Sequence, residues 1–415
     1  MKLNSAQRKK FDEWTNTSNY VFNRAVELTS NGHKPNFYDL RTILVTENTK
    51  KNNTEYIDID NKIKELKKQK KDAPNKTIID EEIKKCKDEL KEVCRTLKSS
   101  KNENISNEWE FDTPKDIRAG AVNDVCKAYK TAFTNLKNGN IKRFKLNFRK
   151  KSSCSKSFVV PSTLIKIHTD ENNKRSFRIA PNFLKDDCTV NIGRRTLKKH
   201  KTLSIENDCR IVKKNREYFI FVPITVEKKE KNPVKNYCGI DPGVRTFMTS
   251  FGNEGVVEYK HNTELLKKLN DKINTLKNLK KRKGICKCER KKENIVDELH
   301  WKTINDILSS NDVIFYGDIK SHNIVKKGKN KSLNRNFNDL KFYVFSERLL
   351  YKASVNSKLV IKVHEAYTTK TCSCCGTMKD VGSSKTYECD WCKEILDRDF
   401  NASKNILMKG IITEL

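Results

Sequence analysis

Four cysteines near the C-terminal end carry the most specific chemistry in the chain. Cys372 and Cys375 form one Cys-x-x-Cys pair, and Cys389 and Cys392 form a second after thirteen intervening residues. Two such pairs fit one tetrahedral zinc held by four thiolates, a structural site with no open position for catalysis. Cys374, inside the first pair, reads as a bystander able to compete with Cys375. Carboxylates flank the cysteines: Glu365 before them, Asp397 and Asp399 after them. Another acid, Asp241, lies in the run G-I-D-P-G far upstream. Phosphodiester hydrolysis with two magnesium ions needs several carboxylates around metals ~4 Å apart, and magnesium prefers oxygen ligands. A buried strand ending at Asp241 would hold its carboxylate at the sheet edge, with Pro242 and Gly243 turning the chain away. A D-P-G run alone is more often only a turn. Asp399 opens a helix in D-R-D-F-N-A-S-K-N-I, where the helix dipole favours negative charge. The plainer reading is an N-cap aspartate, a role that suits Asp397 better. The pattern suggests a nuclease site with a structural zinc beside it.

The charge balance points the same way. The 415 residues include 86 Lys and Arg against 53 Asp and Glu, a net charge of +33. Self-repulsion on this scale is costly unless a polyanion neutralises it. Nucleic acid is the expected partner, with salt-sensitive binding because each neutralised phosphate releases counterions. A lysine- and asparagine-rich codon bias contributes but does not account for the imbalance. The 14 cysteines form no short-period framework, and the polar start M-K-L-N-S-A-Q-R-K-K-F lacks the features of a secretory signal. No apolar run nears the ~20 residues that a membrane span needs. A reducing compartment is expected, so paired cysteines read as metal ligands rather than disulfides. Lys280–Lys283 (K-K-R-K) could address the nucleus, although a solvated helix face explains it as well. Cys286 and Cys288 read as incidental surface residues.

The elements that must position these groups change character along the chain. Met1–Ser99 reads as mostly helix, with Phe11, Trp14, Val21, Ala25 and Leu28 on one face. Ile57–Lys98 reads as a charged helical hairpin broken at D-A-P-N-K, Asp72–Lys76. A further helix is predicted to about Phe133, with Thr113 as cap and Pro114 in its first turn. Arg143–Arg149, alternating basic with apolar residues, reads as a strand. Ser157–Glu227 holds several short strands, as in a small barrel or sandwich. Lys228–Asn236 has linker composition. A strand meander followed by helix–strand–helix–strand is the outline of a ribonuclease-H-like domain.

Together these residues resemble the TnpB family of transposon-encoded, RNA-guided nucleases and its eukaryotic and viral relatives, the Fanzor proteins. Type V CRISPR effector nucleases share the same RuvC-like core. T-P-K-D-I-R-A-G-A-V and F-K-L-N-F-R-K look like the N-terminal half of the family. G-I-D-P-G-V-R-T looks like its first RuvC motif, A-Y-T-T-K-T-C-S-C-C-G with C-D-W-C like its zinc finger, and L-D-R-D-F-N-A-S-K-N-I like its third motif. The resemblance implies an α+β multidomain fold. Residues 1–12 would begin a β-barrel wedge domain that resumes at 136–231, around a helical recognition domain at 13–135. A RuvC-like nuclease domain would follow at 232–369 and 397–415, with a zinc finger inserted at 370–396. The wedge barrel is expected to lack the edge strand that precedes this segment in the family.

The same likeness makes Asp241 and Asp399 the first and third catalytic carboxylates. The second is the departure: where the family has a strand-end glutamate, this chain has Gly317, followed by Asp318. Asp318 could substitute, but alternation points it to the opposite side of a continuing strand. Glu365, ending the strand L-V-I-K-V-H-E, is the better candidate. Fanzor proteins are similar in carrying the glutamate there, and its strand is expected to lie beside that of Asp241. The expected catalytic and Mg2+-binding set is thus Asp241, Glu365 and Asp399, holding two ions, with Zn2+ on Cys372, Cys375, Cys389 and Cys392. The expected activity is RNA-guided DNA cleavage. The partners would be a guide RNA and double-stranded DNA, with no membrane, and the protein a monomer with its RNA. A nuclear location is expected for a eukaryotic host or its large virus, and a cytoplasmic one for a prokaryote. The alternatives are a guided DNA-binding protein that no longer cuts and a guide-independent DNA-binding nuclease.

Overall fold

The computed structural model describes every residue except 2, 47–52, 73–75, 98–104, 106, 154, 170, 173–174, 192–202, 231–232, 320–330, 383 and 415. It is a mixed α+β chain in two compact units, Met1–Ile224 and Thr225–Leu415.

The first unit opens with helix α1 (Ser5–Ser30), followed by α2 (Phe37–Leu44), α3 (Thr54–Asp72), α4 (Lys76–Leu97) and α5 (Lys115–Lys137). A capping box starts α1: Asn4 Oδ1 accepts from Gln7 N–H, and Gln7 Oε1 accepts from Asn4 N–H. Phe11, Trp14, Val21 and Ala25 are buried, as their spacing predicts. The helices α3 and α4 close on Ile63, Leu66, Ile83 and Cys86. The turn between them includes residues 73–75, outside the described residues. Thr113 does not cap α5. Its hydroxyl hydrogen-bonds that of Thr17, and Pro114 takes the cap position, so the helix begins one residue later than predicted.

Two antiparallel three-stranded sheets follow, with orders β1-β5-β6 and β2-β3-β4. Their strands are β1 (Ser155–Val160), β2 (Ile165–Thr169), β3 (Arg175–Ile179), β4 (Thr189–Asn191), β5 (Cys209–Lys214) and β6 (Glu217–Phe221). Arg143–Arg149, expected as a strand, forms none. Its alternation serves a helical surface instead. Phe144 packs against Tyr129 and Phe133 of α5, while the Arg149 guanidinium lies over Phe22 and pairs with Asp124.

The second unit is one mixed sheet with helices. Its strands are β7 (Tyr237–Pro242), β8 (Met248–Gly252), β9 (Gly255–Tyr259), β10 (Val313–Gly317) and β11 (Leu359–Val363), in spatial order β11-β10-β7-β8-β9. The meander β7-β8-β9 is antiparallel, and β7, β10 and β11 run parallel. Parallel neighbours need crossovers. Helices α6 (Thr263–Asn278) and α7 (Arg282–Ser310) lead into β10, and α8 (Lys331–Leu340) and α9 (Phe342–Val355) lead into β11. All five residues of β10 are buried, as the apolar run V-I-F-Y-G requires of a central strand. Cys288 is buried with Leu269 and Ile273, so it is a core residue rather than a surface one.

A final helix, α10 (Arg398–Glu414), lies on one face of this sheet. A Cβ added to Gly239 would come within 2.5 Å of the backbone nitrogen of Leu407. Only glycine lets α10 approach β7 this closely. Ahead of α10 the short strands β12 (Thr386–Glu388) and β13 (Ile395–Asp397) pair antiparallel.

Candidate active site

The parallel strands all end at the same edge, and the acids gather there. Asp241 is the penultimate residue of β7. The strand leading to Glu365 is not beside β7, as expected, but one place further out, with β10 between them. A glutamate after β11 must therefore reach across the end of β10, where Gly317 stands. A Cβ at Gly317 would lie 2.6 Å from Glu365 Oε1 and 3.1 Å from its Cγ. The Glu365 side chain thus fills the space that a side chain at position 317 would take. The two unusual residues are one feature: the glycine vacates the position, and the glutamate occupies it from the next strand.

Asp399 comes from the other direction, in the first turn of α10. Asp397 is the cap: its Oδ1 accepts from the backbone N–H of Asp399 at 2.9 Å and of Phe400 at 3.4 Å. Lys385 pairs with its other oxygen at 3.3 Å. Asp397 is thereby occupied, and Asp399 is left to face the sheet end.

Each of the three acids is held toward its neutral form. Burial pushes the Asp241 carboxyl well above the usual carboxylate range, and the charges of Glu365 and Asp399 push it the same way, against Arg398. Burial first, then Asp318, pushes Glu365 up to about 7. Asp399 is raised by burial and by Asp397, with Arg398, Lys385 and Arg245 opposing. Asp241 is pushed up by Glu365 and Asp399, whereas the charge that pushes Glu365 up is Asp318. Glu365 Oε1 is buried and has no hydrogen-bond partner. Like charges crowded out of water resist ionising together unless a cation joins them. An all-oxygen set with one orphaned lone-pair donor suits a hard divalent cation such as Mg2+.

The four cysteines meet as their spacing predicts. Their Sγ atoms all lie within 4.8 Å of one another, with Cys372–Cys392 at 3.7 Å and Cys375–Cys389 at 3.5 Å. Sulfurs ~2.3 Å from a tetrahedral zinc stand roughly 3.8 Å apart, so the four thiols already approximate a zinc shell. The Thr377 hydroxyl and backbone N–H beside Cys375 pull its thiol down to about 6, toward the thiolate form that zinc requires. Cys374 is exposed and outside the group.

The sequence reading missed Asn401 and Asn405. Asn401 is fully buried, donating to Thr371 O and accepting from Ser373 N–H, both at 2.8 Å. Asn405 donates to Thr368 O and Thr371 O. These two amides fasten the start of α10 to the backbone around the first cysteine pair. Arg398 does the same on the other side, donating to Gly382 O at 2.8 Å. The available signal was the i, i+4 spacing of two asparagines, on the row next to that of Ala402 and Ile406.

Residues 342–406 match the family model described as Cas12f1-like, TNB domain. TnpB-like protein L770 of Acanthamoeba polyphaga mimivirus is 32% identical over 310 residues, 70% of this chain and 56% of its own length. The chain thus spans little more than half of that relative. A protein of Paramecium bursaria Chlorella virus 1, provisionally named transposase A625R, is 29% identical over 74% of this chain and 72% of its own length. A Streptomyces pristinaespiralis protein provisionally named an RNA-guided DNA endonuclease is 27% identical over 42% of this chain and 45% of its own.

Proposed function

Because the chain belongs to the TnpB-like family, we propose that it is an RNA-guided DNA endonuclease whose cutting centre is Asp241, Glu365 and Asp399. The observation that carries this reading is the Glu365 side chain lying where Gly317 leaves room, which restores a third acid beside Asp241. The strand order, a three-stranded meander extended by two parallel strands, supports a RuvC-like, ribonuclease-H-like domain. The relocated glutamate and the viral relatives support a reading within the Fanzor branch. The net charge of +33 and the name of the Streptomyces relative support a guide RNA and a DNA target.

The chain's own residues would divide the work as follows. The three carboxylates hold two divalent ions, which when bound supply an activated water and stabilise the leaving oxygen. Asp241 and Glu365, held toward their neutral forms, give up protons as the site loads. Arg398 faces the acids from the α10 terminus and offsets part of their repulsion. Cys372, Cys375, Cys389 and Cys392 hold Zn2+ and brace the segment between Glu365 and Asp399. No helix among the described residues is long and apolar enough to cross a membrane.

The test is cleavage by protein expressed with the DNA flanking its gene, so that any guide co-purifies and can be sequenced. Target DNA with Mg2+ should be cut by the wild type. Asp241→Ala, Glu365→Ala and Asp399→Ala should each reduce cutting by about a thousandfold or more, the scale on which removal of a transition-state stabiliser acts. Full activity in Glu365→Ala would overturn the assignment of that residue. A tightly bound but intact target would instead indicate a guided binding protein. Equal cutting without RNA would remove the guide.

A further inference from the structure

We propose that Thr249 is a positioning residue for Asp241: its hydroxyl hydrogen-bonds the Asp241 carboxylate in the metal-loaded state and sets the direction in which that carboxylate faces the cation. The proposal rests on the reading of the three acids as a metal site. In the β7–β8 ladder Asp241 stands directly opposite Thr249. Residues so paired share a face of the sheet, with Cβ atoms roughly 5 Å apart. The preceding pair on that face, Gly239 and Phe251, identifies it as the one under α10. The helix backbone rests on Gly239, and the Phe251 ring lies 5.4 Å from that of Phe400. Thr249 is therefore under the helix that carries Asp399, in the row that carries Asp241.

Thr249 is only 1% exposed, and its Oγ1 is buried without a hydrogen-bond partner. A lone hydroxyl out of water is unfavourable, and valine would fill the same shape without that cost. Across the ladder on its other side stands Glu258, already paired with Lys260 at 2.7 Å. The remaining polar group in the row is the Asp241 carboxyl. A hydrogen bond to an ionised carboxylate is roughly twice as strong as one to a neutral acceptor. The Thr249 hydroxyl therefore contributes most once a cation holds Asp241 ionised. That difference raises affinity for the metal rather than stability of the free protein.

The test uses the purified protein with its co-purified RNA and Mn2+ as the probe, read by water-proton relaxation. Asp241→Ala defines the background from sites on RNA. The Asp241-dependent Mn2+ binding should weaken about tenfold in Thr249→Val and stay within about twofold of wild type in Thr249→Ser. The half-saturating Mn2+ concentration for cleavage should rise in parallel. The thermal midpoint of Thr249→Val should equal or exceed that of the wild type, which a merely structural role would not allow. Thr249→Val combined with Asp241→Ala should behave as Asp241→Ala alone. Should the valine variant not fold, Thr249→Ala carries the same comparison. Unchanged Mn2+ binding in Thr249→Val, with binding lost in Asp241→Ala, overturns the role of Thr249 alone. Unchanged binding in Asp241→Ala overturns the metal site itself.

Discussion

At the scale of single residues, Gly317 and Glu365 decide the site together. A side chain at 317 and the present position of Glu365 exclude one another, since the added Cβ would meet Glu365 Oε1 at 2.6 Å. Gly317→Ala should displace the glutamate tip and lower cleavage by about tenfold or more, because a misplaced catalytic group is costly even at ~1 Å. The fold should tolerate it, since the closest atom is the tip of the Glu365 side chain and the Ile406 Cδ1 at 3.1 Å needs to give by only a few tenths of an ångström. The double variant Gly317→Glu with Glu365→Ala puts the acid back on β10 and clears its space. It should recover part of the cutting that Glu365→Ala loses. Cleavage of the double variant no better than that of Glu365→Ala would mean that the two positions are not equivalent. The measurement is single-turnover cleavage at saturating Mg2+.

At the scale of elements, α10 is the part on which the site depends, and the contacts that hold it include two sets. One is its close approach to Gly239. The other is the amide clamp of Asn401 and Asn405 on the cysteine-bearing segment. Asn401→Ala would leave the Ser373 N–H unpaired out of water. It should destabilise the second unit by about 3 kcal/mol, seen as a lower thermal midpoint, with cleavage lost at temperatures where the wild type still cuts. A zinc chelator should have a related effect, because removing the ion leaves four crowded thiols with nothing to join them.

A second element-scale prediction concerns α7, where His300 is fully buried. Its Nε2–H donates to Leu340 O at 2.8 Å, and the Arg348 guanidinium faces Nδ1 at 3.1 Å. Burial lowers its pKa to about 4, and Arg348 adds to this against the Leu340 carbonyl. The unfolded chain takes up the proton near pH ~6.5, whereas the folded one does so only near 4. The stability contributed by neutral His300 is complete above that unfolded value and is lost as pH falls toward 4, up to about 3 kcal/mol. Asp241 and Glu365, raised by burial, act in the opposite sense, so the decline between pH 7 and pH 5 that His300 contributes to the thermal midpoint is read against a variant lacking it. In His300→Gln the midpoint should fall less over this range than in the wild type, although the variant starts less stable. The same pH dependence in the variant would exclude His300 as a contributor.

For the molecule as a whole, the net charge of +33 would govern how the proposed nucleic-acid partners are held. Contacts to several phosphates make affinity fall steeply with salt. With 6–10 contacts, binding to guide RNA or DNA should weaken about 10³–10⁵-fold between about 50 and 200 mM salt. A titration of affinity against salt would read the number of phosphates from the slope. A flat profile would mean that this charge is spread as a solvated surface and not gathered on a polyanion.

Much of the chain is legible from its residues. The amphipathic run around Phe11 and Trp14, the α3–α4 hairpin, the buried run of β10 and the four-cysteine cluster follow from local periodicity and spacing, which the backbone obeys wherever it lies. The capping role of Asp397 is local too, because it depends on N–H groups two and three residues on. Other features needed the third dimension. Arg143–Arg149 alternates like a strand, yet finds a helical surface rather than a ladder, and alternation cannot say which partner it meets. The spatial order β11-β10-β7 set the distance that Glu365 must cover, and sequence proximity carries no record of which strand comes between. The buried, unpaired hydroxyl of Thr249 became visible only once α10 lay over it. What the sequence determined alone is the supply of carboxylates, thiols and cations. Where α10 and the Glu365 tip come to lie was decided by packing, through two glycines that admit a helix and a glutamate where a side chain would have stood.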